Sequence, residues 1–167
     1  MSSLVLLKPA TNLLLYSFAF GGAAFYSFVA SPIAFKVLHK DQFSTLQHNV
    51  FPLFFKMQSI APILLTATAP FSLTAGPITA LTVASVTGLM NLFWLLPWNQ
   101  RLKLERRKLA ERLKGEENAK ALEEQDAPLQ REFGKAHGLS MLVNVGHVLS
   151  LLVYGVFLTK GLFFLVP

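Results

Sequence analysis

Four stretches of this 167-residue chain consist mostly of apolar residues, and charged residues collect in the segments between them. A helix needs roughly 20 mostly apolar residues to cross the hydrocarbon core of a membrane, and each stretch is long enough. The pattern therefore predicts an all-α protein, a polytopic four-helix transmembrane bundle that forms a single membrane domain. The predicted spans are residues 12–36, 43–68, 77–98 and 136–159.

The longest polar segment, residues 99–135, lies between the third and fourth spans. Its first half is rich in Leu, Lys, Arg and Glu, which are good helix formers. We expect a charged helical arm in which residues 101–114 continue the third span and Gly115 marks a break. Asp126 and Pro128 are residue types that often begin a helix, so they predict the start of the last one.

Positive charge is distributed unevenly between the two ends of the predicted bundle. Twelve Lys and Arg residues accompany the loops at 36–42 and 99–135, whereas only Lys8 and Lys160 accompany the other end. Loops rich in Lys and Arg stay in the cytosol. We therefore expect both of these loops to be cytosolic and both termini to lie on the lumenal or extracellular side.

The charged arm has two interpretations. Ten basic and eight acidic side chains are closely interleaved within residues 99–137, which is typical of a solvated helix and not of a nucleic-acid-binding surface. No nucleic-acid partner is expected. The alternative is that residues 101–114 dock against another protein or against acidic lipid headgroups.

Composition limits the chemistry that this chain can support. Apolar residues make up 53% of the chain and charged residues 14%, which indicates an integral membrane protein surrounded by the lipid bilayer. The absence of Cys excludes disulfides and thiol chemistry. No predicted span contains Asp or Glu, so no carboxylate is available at membrane depth to relay protons or to bind a metal. We therefore expect no cofactor, no metal site and no enzymatic activity.

The fourth span nevertheless carries a polar stripe within the sequence HGLSMLVNVGH. His137, Ser140, Asn144 and His147 follow one another at spacings of three, four and three residues, which places them on one side of a helix. The two histidines are about 15 Å apart along that helix, too far to share one metal ion. Polar groups in hydrocarbon are costly unless they are bonded, so the stripe should face the bundle interior.

Two other spans also carry a polar residue within the apolar run. Asn91 and Asn144 each lie about 10 Å from the cytosolic ends of their spans, with His147 one turn deeper than Asn144, and Lys56 lies about 20 Å from the start of the second span. We expect these four side chains to form a polar layer, either as hydrogen bonds that join the helices or as a hydrated binding cavity. Lys56 has the further option of extending its ammonium group to the interface.

Three further polar residues are expected at the cytosolic interface. They are His48, His137 and Ser140, which lie near the cytosolic ends of the second and fourth spans. At that depth a water-facing or helix-capping role is the default expectation.

Several motifs together resemble a known family. The runs FSTLQHNVFPLFFK, NLFWLLP and LQREFGKAHGLSMLVNVGHVLS, with the charged arm between the last two, are similar to the transmembrane protein 205-like family, a domain of unknown function. The likeness extends from about Phe28 to Ser150. It implies a four-span protein of the endoplasmic reticulum, the secretory pathway or the plasma membrane, and it implies no established reaction.

Three classes of function are compatible with these features. The favoured one is an accessory or assembly subunit of a larger membrane protein, because the chain is small, lacks a catalytic set and carries a charged cytosolic arm. The alternative is a carrier of a small molecule, an anion or a lipid that binds in the polar layer. An enzyme that acts on lipids is the third class.

Overall fold

The computed structural model describes residues 3–164, and within that range the chain is helical and contains no β-strand. Four long helices follow one another, and two of them are interrupted by a π-helical turn. α1 contains Ser3–Phe25, a π-helical turn at Tyr26–Ala30 and Ser31–Val37; α2 is Lys40–Thr68; α3 contains Ala75–Met90, a π-helical turn at Asn91–Leu95 and Leu96–Arg112; α4 is Ala119–Phe163, preceded by a 3₁₀ turn at Glu116–Asn118.

The helices pack so that α1 contacts α2 and α4, and α3 contacts the same two neighbours. One end of the bundle carries the α1–α2 and α3–α4 connections and is called the loop end; the other, called the terminal end, carries both termini. Small and aliphatic side chains fill the centre, including Ala23, Leu65, Ala84 and Leu151, all of which are fully buried. Alanine at the contacts lets the helix backbones approach closely, as membrane helix packing requires.

Large apolar side chains cover the outside of the bundle. Phe18, Leu53, Phe93 and Leu142, one from each helix, are 67%, 69%, 72% and 68% exposed. A soluble protein rarely exposes apolar surface on every side, whereas lipid chains surround such a surface at no cost. All four helices are long and apolar enough to cross a membrane. These features confirm the all-α class with four candidate membrane-spanning helices.

Both π-helical turns precede a proline at the same spacing. Pro32 lies two residues beyond the turn at Tyr26–Ala30, and Pro97 lies two residues beyond the turn at Asn91–Leu95. Proline has no backbone N–H, and its ring collides with the carbonyl four residues earlier, which is at the centre of each turn. The residue directly before each proline, Ser31 or Leu96, instead donates its N–H to the carbonyl five residues earlier, and the helix widens.

α3 and α4 extend well beyond their predicted spans at the loop end. α3 continues through Arg112, as expected, and the chain turns at Gly115, whose φ of +129° favours glycine. The predicted start of the last helix at Asp126 was wrong, because α4 begins at Ala119 and includes Pro128. The helix tolerates this proline because the carbonyl that loses its donor belongs to the exposed Glu124 and is accessible to water.

Residues 99–135 form a charged hairpin in which the end of α3 packs antiparallel against the start of α4. The Arg106 guanidinium donates two hydrogen bonds to the Asp126 carboxylate, each 2.7 Å long. Nearer the bundle, Trp98 Nε1 donates to Glu132 Oε1 at 3.0 Å. These bonds join the two helices on either side of the break at Gly115, a pairing that the sequence did not indicate.

Two leucines explain why the segment folds back on itself. Leu102 and Leu109 share one face of α3 and are 1% and 7% exposed. Burying a leucine side chain stabilises a fold by about 1.5–3 kcal/mol, which is enough to favour pairing over two separate solvated helices. The predicted solvated helix thus has one apolar face, that of Leu102 and Leu109, buried against α4. Its outer face remains charged and exposed.

Candidate functional site

Asn144 joins three of the four helices through its side-chain amide. The Gln58 Nε2 group of α2 donates to Asn144 Oδ1 at 2.6 Å, and Asn144 Nδ2 donates to Ser27 Oγ of α1 at 2.7 Å. The fourth helix is joined one turn away, where Ser140 Oγ donates to Asn91 Oδ1 at 2.7 Å. We call these five side chains the inner polar cluster.

The cluster depends on the two widened helix turns. Ser27 lies within the π-helical turn of α1, and Asn91 is the first residue of the π-helical turn of α3. A π-helical turn shifts the side chains that precede it relative to those that follow, and such turns are frequent at functional sites. Two separate prolines thus produce two local distortions that meet at the same set of hydrogen bonds.

The two asparagines predicted to lie near each other are both in this cluster, but each bonds to a different residue. Asn91 is completely buried and accepts from Ser140, whereas Asn144 bonds to Gln58 and Ser27. Ser140, expected at the interface, is half-buried and belongs to the cluster. Asn91 of α3 is therefore joined to α4 through Ser140, which lies one turn before Asn144 on α4.

The remaining predicted site residues do not join the cluster. Lys56 is exposed on the outer surface of α2 and does not face the bundle interior. His48 is also exposed, near the loop end of the same helix. His137 is exposed and stacks on Phe133, with ring centroids 5.7 Å apart and planes 6° apart.

His147 is buried and bonds to the backbone of α3. Its Nδ1 lies 2.9 Å from the carbonyl oxygen of Ala84, and its side chain is 1% exposed. A carbonyl can only accept, so Nδ1 carries the proton in this contact. The Thr87 hydroxyl lies 3.5 Å from the same nitrogen. His147 therefore joins α4 to α3 as a bonded core residue next to the inner polar cluster.

Two atoms of the inner polar cluster lack a hydrogen-bond partner. Gln58 Oε1 and Asn91 Nδ2 are buried and unbonded, and their residues are 1% and 0% exposed. One is an acceptor and the other is a donor. A buried polar atom without a partner costs about 1–3 kcal/mol, so the two atoms mark a place where a further bonding partner would stabilise the bundle.

The backbones of α2 and α3 are very close beside this pair. A Cβ atom at Gly88 would lie only 2.7 Å from the carbonyl oxygen of Gln58. Pro62 has no N–H with which to bond that carbonyl, which therefore points towards α3 without its usual partner. Asn91 follows Gly88 by three residues, about one helical turn, so the side chains of Gln58 and Asn91 flank the same contact.

Gln58 and Ser27 were missed in the sequence, although a signal for Gln58 was available. Positions two apart on a helix point to nearly opposite sides, so Lys56 and Gln58 cannot both face the interior. The large apolar residues Phe54 and Leu65 recur with Gln58 at helical spacing and define the inner face of α2. Ser27 offered no comparable signal, because its orientation depends on the π-helical turn.

A second group of polar side chains lies at the terminal end, and the sequence did not indicate it. Asn12 Nδ2 donates to the carbonyl oxygen of Leu65 at 2.9 Å and to Thr68 Oγ1 at 2.8 Å. The Tyr154 hydroxyl donates to Asn12 Oδ1 at 2.8 Å, and both residues are completely buried. We call Asn12, Thr68 and Tyr154 the terminal polar cluster. Each side-chain nitrogen and oxygen of Asn12 is bonded.

The described residues offer little for metal chemistry. Among residues 3–164, no group of three or more His, Asp or Glu side chains is placed to hold a metal ion. The buried polar side chains of the described residues are amides, hydroxyls and one imidazole, and none of them is a carboxylate. This arrangement supports hydrogen bonding between helices.

Comparison with known families identifies the group to which the chain belongs. The model of the family described as domain of unknown function DUF4149 matches residues 14–108, which is more than half of the chain. The chain belongs to this family. The match includes Ser27, Gln58 and Asn91, whereas α4 lies beyond it. Searches of curated proteins and of solved structures found no match.

Proposed function

We propose that this DUF4149 protein is a non-enzymatic integral membrane protein that acts as an accessory or assembly subunit of a larger membrane protein. The charged hairpin carries this proposal. It is braced internally by Arg106 and Asp126, and it keeps Arg107 and Lys108 exposed on its outer face. A pre-organised surface loses little conformational entropy on binding, so it suits a docking role.

The bundle interior supports a non-catalytic role. The inner polar cluster uses most of its donors and acceptors to join helices, and its central amide, that of Asn144, is bonded on both sides. The carrier alternative has weaker support, because an anion site was expected to use Lys56. That side chain lies on the outside of α2.

The proposal includes an orientation and a compartment. We propose that the loops at 36–42 and 99–135 face the cytosol and that both termini lie on the lumenal or extracellular side, because basic residues concentrate at the loop end. The membrane would be that of the endoplasmic reticulum or the cell surface. We also propose, from the sequence motifs, that the chain belongs among the transmembrane protein 205-like members of its family.

The partner would present acidic groups to the hairpin on the cytosolic side. A larger membrane protein is the proposed partner, and acidic lipid headgroups are a second source of negative charge near residues 101–114. Purification of the tagged chain from native membranes in a mild detergent tests the proposal. One partner should elute with it in a fixed ratio.

Matched variants make this purification specific. In the variant Arg107→Glu with Lys108→Glu, the charge of the hairpin's outer face is reversed, and the partner should be lost. Lys160→Glu, an exposed charge reversal at the opposite end, is the control and should retain it. If the unmodified chain elutes alone and its unfolding temperature rises with added lipid or anion, the carrier alternative replaces this proposal.

The orientation can be tested separately because the chain has no Cys. Single cysteines introduced by Ala110→Cys in the hairpin and Thr74→Cys between α2 and α3 both occupy exposed positions. In intact cells, a membrane-impermeant maleimide should leave the first unlabelled; the second should be labelled if the protein is at the cell surface. In sealed, right-side-out microsomes, only the first should react. Labelling of both in such microsomes would contradict the orientation.

A further inference from the structure

We propose that the inner polar cluster binds one water molecule, which donates a hydrogen bond to Gln58 Oε1 and accepts one from Asn91 Nδ2. This goes beyond the proposed function, because it assigns a binding site inside the bundle. The two atoms are chemically complementary, and each belongs to a residue that is at most 1% exposed. A neutral hydroxyl-sized group is the chemistry that satisfies one acceptor and one donor together.

The positions of their bonded neighbours place the two atoms at the same site. Gln58 bonds to Asn144 and Asn91 bonds to Ser140, and these two residues of α4 are about 6 Å apart along the helix. The close contact between Gly88 and the Gln58 backbone brings α2 and α3 together at the same level. The two unbonded atoms therefore flank one gap among α2, α3 and α4.

Enclosure and charge select water as the occupant. A ligand with an acyl chain or a ring would need an opening to the outside, whereas Gln58 and Asn91 are almost completely enclosed. Buried waters typically make two to four hydrogen bonds to polar groups that lack other partners. An ion is disfavoured, since the cluster contains only amides and hydroxyls and has no charge to compensate it.

This water would complete a network through all four helices. The bonded chain runs from Ser27 of α1 through Asn144 of α4 to Gln58 of α2. The proposed water would continue it to Asn91 of α3, which already bonds to Ser140.

Solid-state NMR of the ¹⁵N-labelled protein in lipid bilayers tests the proposal. Polarisation transferred from water protons should reach the side-chain amide of Asn91 several-fold faster than that of Asn12. Asn12 is the matched control: it is equally buried, it also bonds to a hydroxyl, and its amide is fully partnered. Equal and slow transfer to both amides would overturn the proposal.

Two variants separate the bound water from relay through a neighbouring hydroxyl. Ser140→Ala removes the hydroxyl bonded to Asn91, and fast transfer to Asn91 should persist. Asn91→Leu removes one of the water's two partners, and transfer to the Gln58 side-chain amide should fall to the rate seen at Asn12. Loss of transfer in the first variant, or unchanged transfer in the second, would show that no water bridges these atoms.

Discussion

The inner and terminal polar clusters solve the same problem in different ways. Both place neutral polar side chains in the bundle interior, where an unbonded group is costly. The terminal cluster lies on regular helix, and every side-chain polar atom of Asn12 is bonded. The inner cluster depends on two π-helical turns and has two unbonded atoms, on Gln58 and Asn91.

The terminal polar cluster is therefore purely structural, whereas the inner polar cluster has a donor and an acceptor that remain available for a further hydrogen-bond partner. A fully bonded cluster can only hold helices together, and substitution there should cost stability. A cluster with a free donor and a free acceptor can also bind a small group between them. The following predictions test this contrast, from the largest expected effect to the smallest.

The helix contact beside the inner cluster should be the most sensitive position. In Gly88→Ala, the new methyl group would meet the Gln58 backbone at 2.7 Å, so α2 and α3 would have to separate. We expect the free energy of unfolding to fall by about 3 kcal/mol, at the upper end of overpacking effects. Unfolding followed by circular dichroism in detergent measures it.

Gly21→Ala is the control for that substitution. Gly21 is exposed on α1, and a Cβ atom there would meet nothing within 4 Å. This variant should be neutral or slightly stabilising, because alanine favours helix over glycine. Equal stability of the two variants would show that the α2–α3 contact is looser than described.

In the terminal cluster, we expect a clear loss from Asn12→Leu. The change removes the bonds to Leu65 and Thr68 and leaves the buried Tyr154 hydroxyl without its acceptor. The free energy of unfolding should fall by about 2 kcal/mol, since a buried group is left unbonded. The double variant with Tyr154→Phe should recover part of the loss, because it removes that hydroxyl. Thermal unfolding of the single and double variants measures this recovery, and its absence would argue against the bond.

The inner cluster should be less sensitive, and its two asparagines should differ. Asn144→Leu breaks two interhelical bonds, so we expect a loss of about 1 kcal/mol, whereas Asn91→Leu should lose about 0.6 kcal/mol. Asn91→Leu breaks only one bond between side chains of different helices, so its cost is smaller. Together the two changes should cost less than their sum, because they belong to one network. Unfolding titrations of the two single variants and the double variant measure all three; a larger loss in Asn91→Leu would contradict this order.

The charged hairpin should show the smallest effect and a dependence on pH. The Arg106 guanidinium, through its hydrogen bonds, holds the pKa of the Asp126 carboxyl below its ordinary value of 3.8. A lowered folded-state pKa stabilises the hairpin at pH values above 3.8 and loses that contribution as pH falls through the folded value. The pair is partly exposed, so the effect should be about 0.5 kcal/mol.

Distances between spin labels can follow this change, because the chain has no native Cys. Labels attached through Ala110→Cys and Gln130→Cys occupy exposed positions on the two helices of the hairpin. Their distance distribution should broaden as pH falls below about 4, the ordinary range of Asp. In Asp126→Asn it should already be broader at pH 7 and change little. A distribution independent of pH in the unmodified chain would show that Leu102 and Leu109 alone hold the hairpin.

Much of the architecture was predictable because it depends on local composition. Long apolar runs can satisfy their backbone only as helices, so the four helices follow from the sequence. Gly115 as a break follows from its conformational freedom. The pairing of Leu102 and Leu109 with α4 was not predicted, because nothing local indicates that a charged segment will pack against a later helix.

The polar layer was predictable only in part. Asn91, Asn144 and His147 are polar residues in apolar runs. Asn91 and His147 are buried in the bundle, and Asn144 bonds to Gln58 in the inner polar cluster. Lys56 was assigned to the same layer because it lies within an apolar run, although the helical position relative to Gln58 decides which of the two side chains faces inwards. The position of a residue along a span follows from counting residues, whereas the direction of its side chain follows from how the helices pack.

The sequence by itself therefore determined the number of helices, their apolar character and the residue types available for bonding inside the membrane. The tertiary structure decided which side chains meet. Ser27 and Asn91 reach the inner polar cluster only because Pro32 and Pro97 widen the turns before them, and Asn12 meets Tyr154 from the opposite end of the chain. Contacts over such sequence separations depend on how whole helices pack, and no local pattern specifies them.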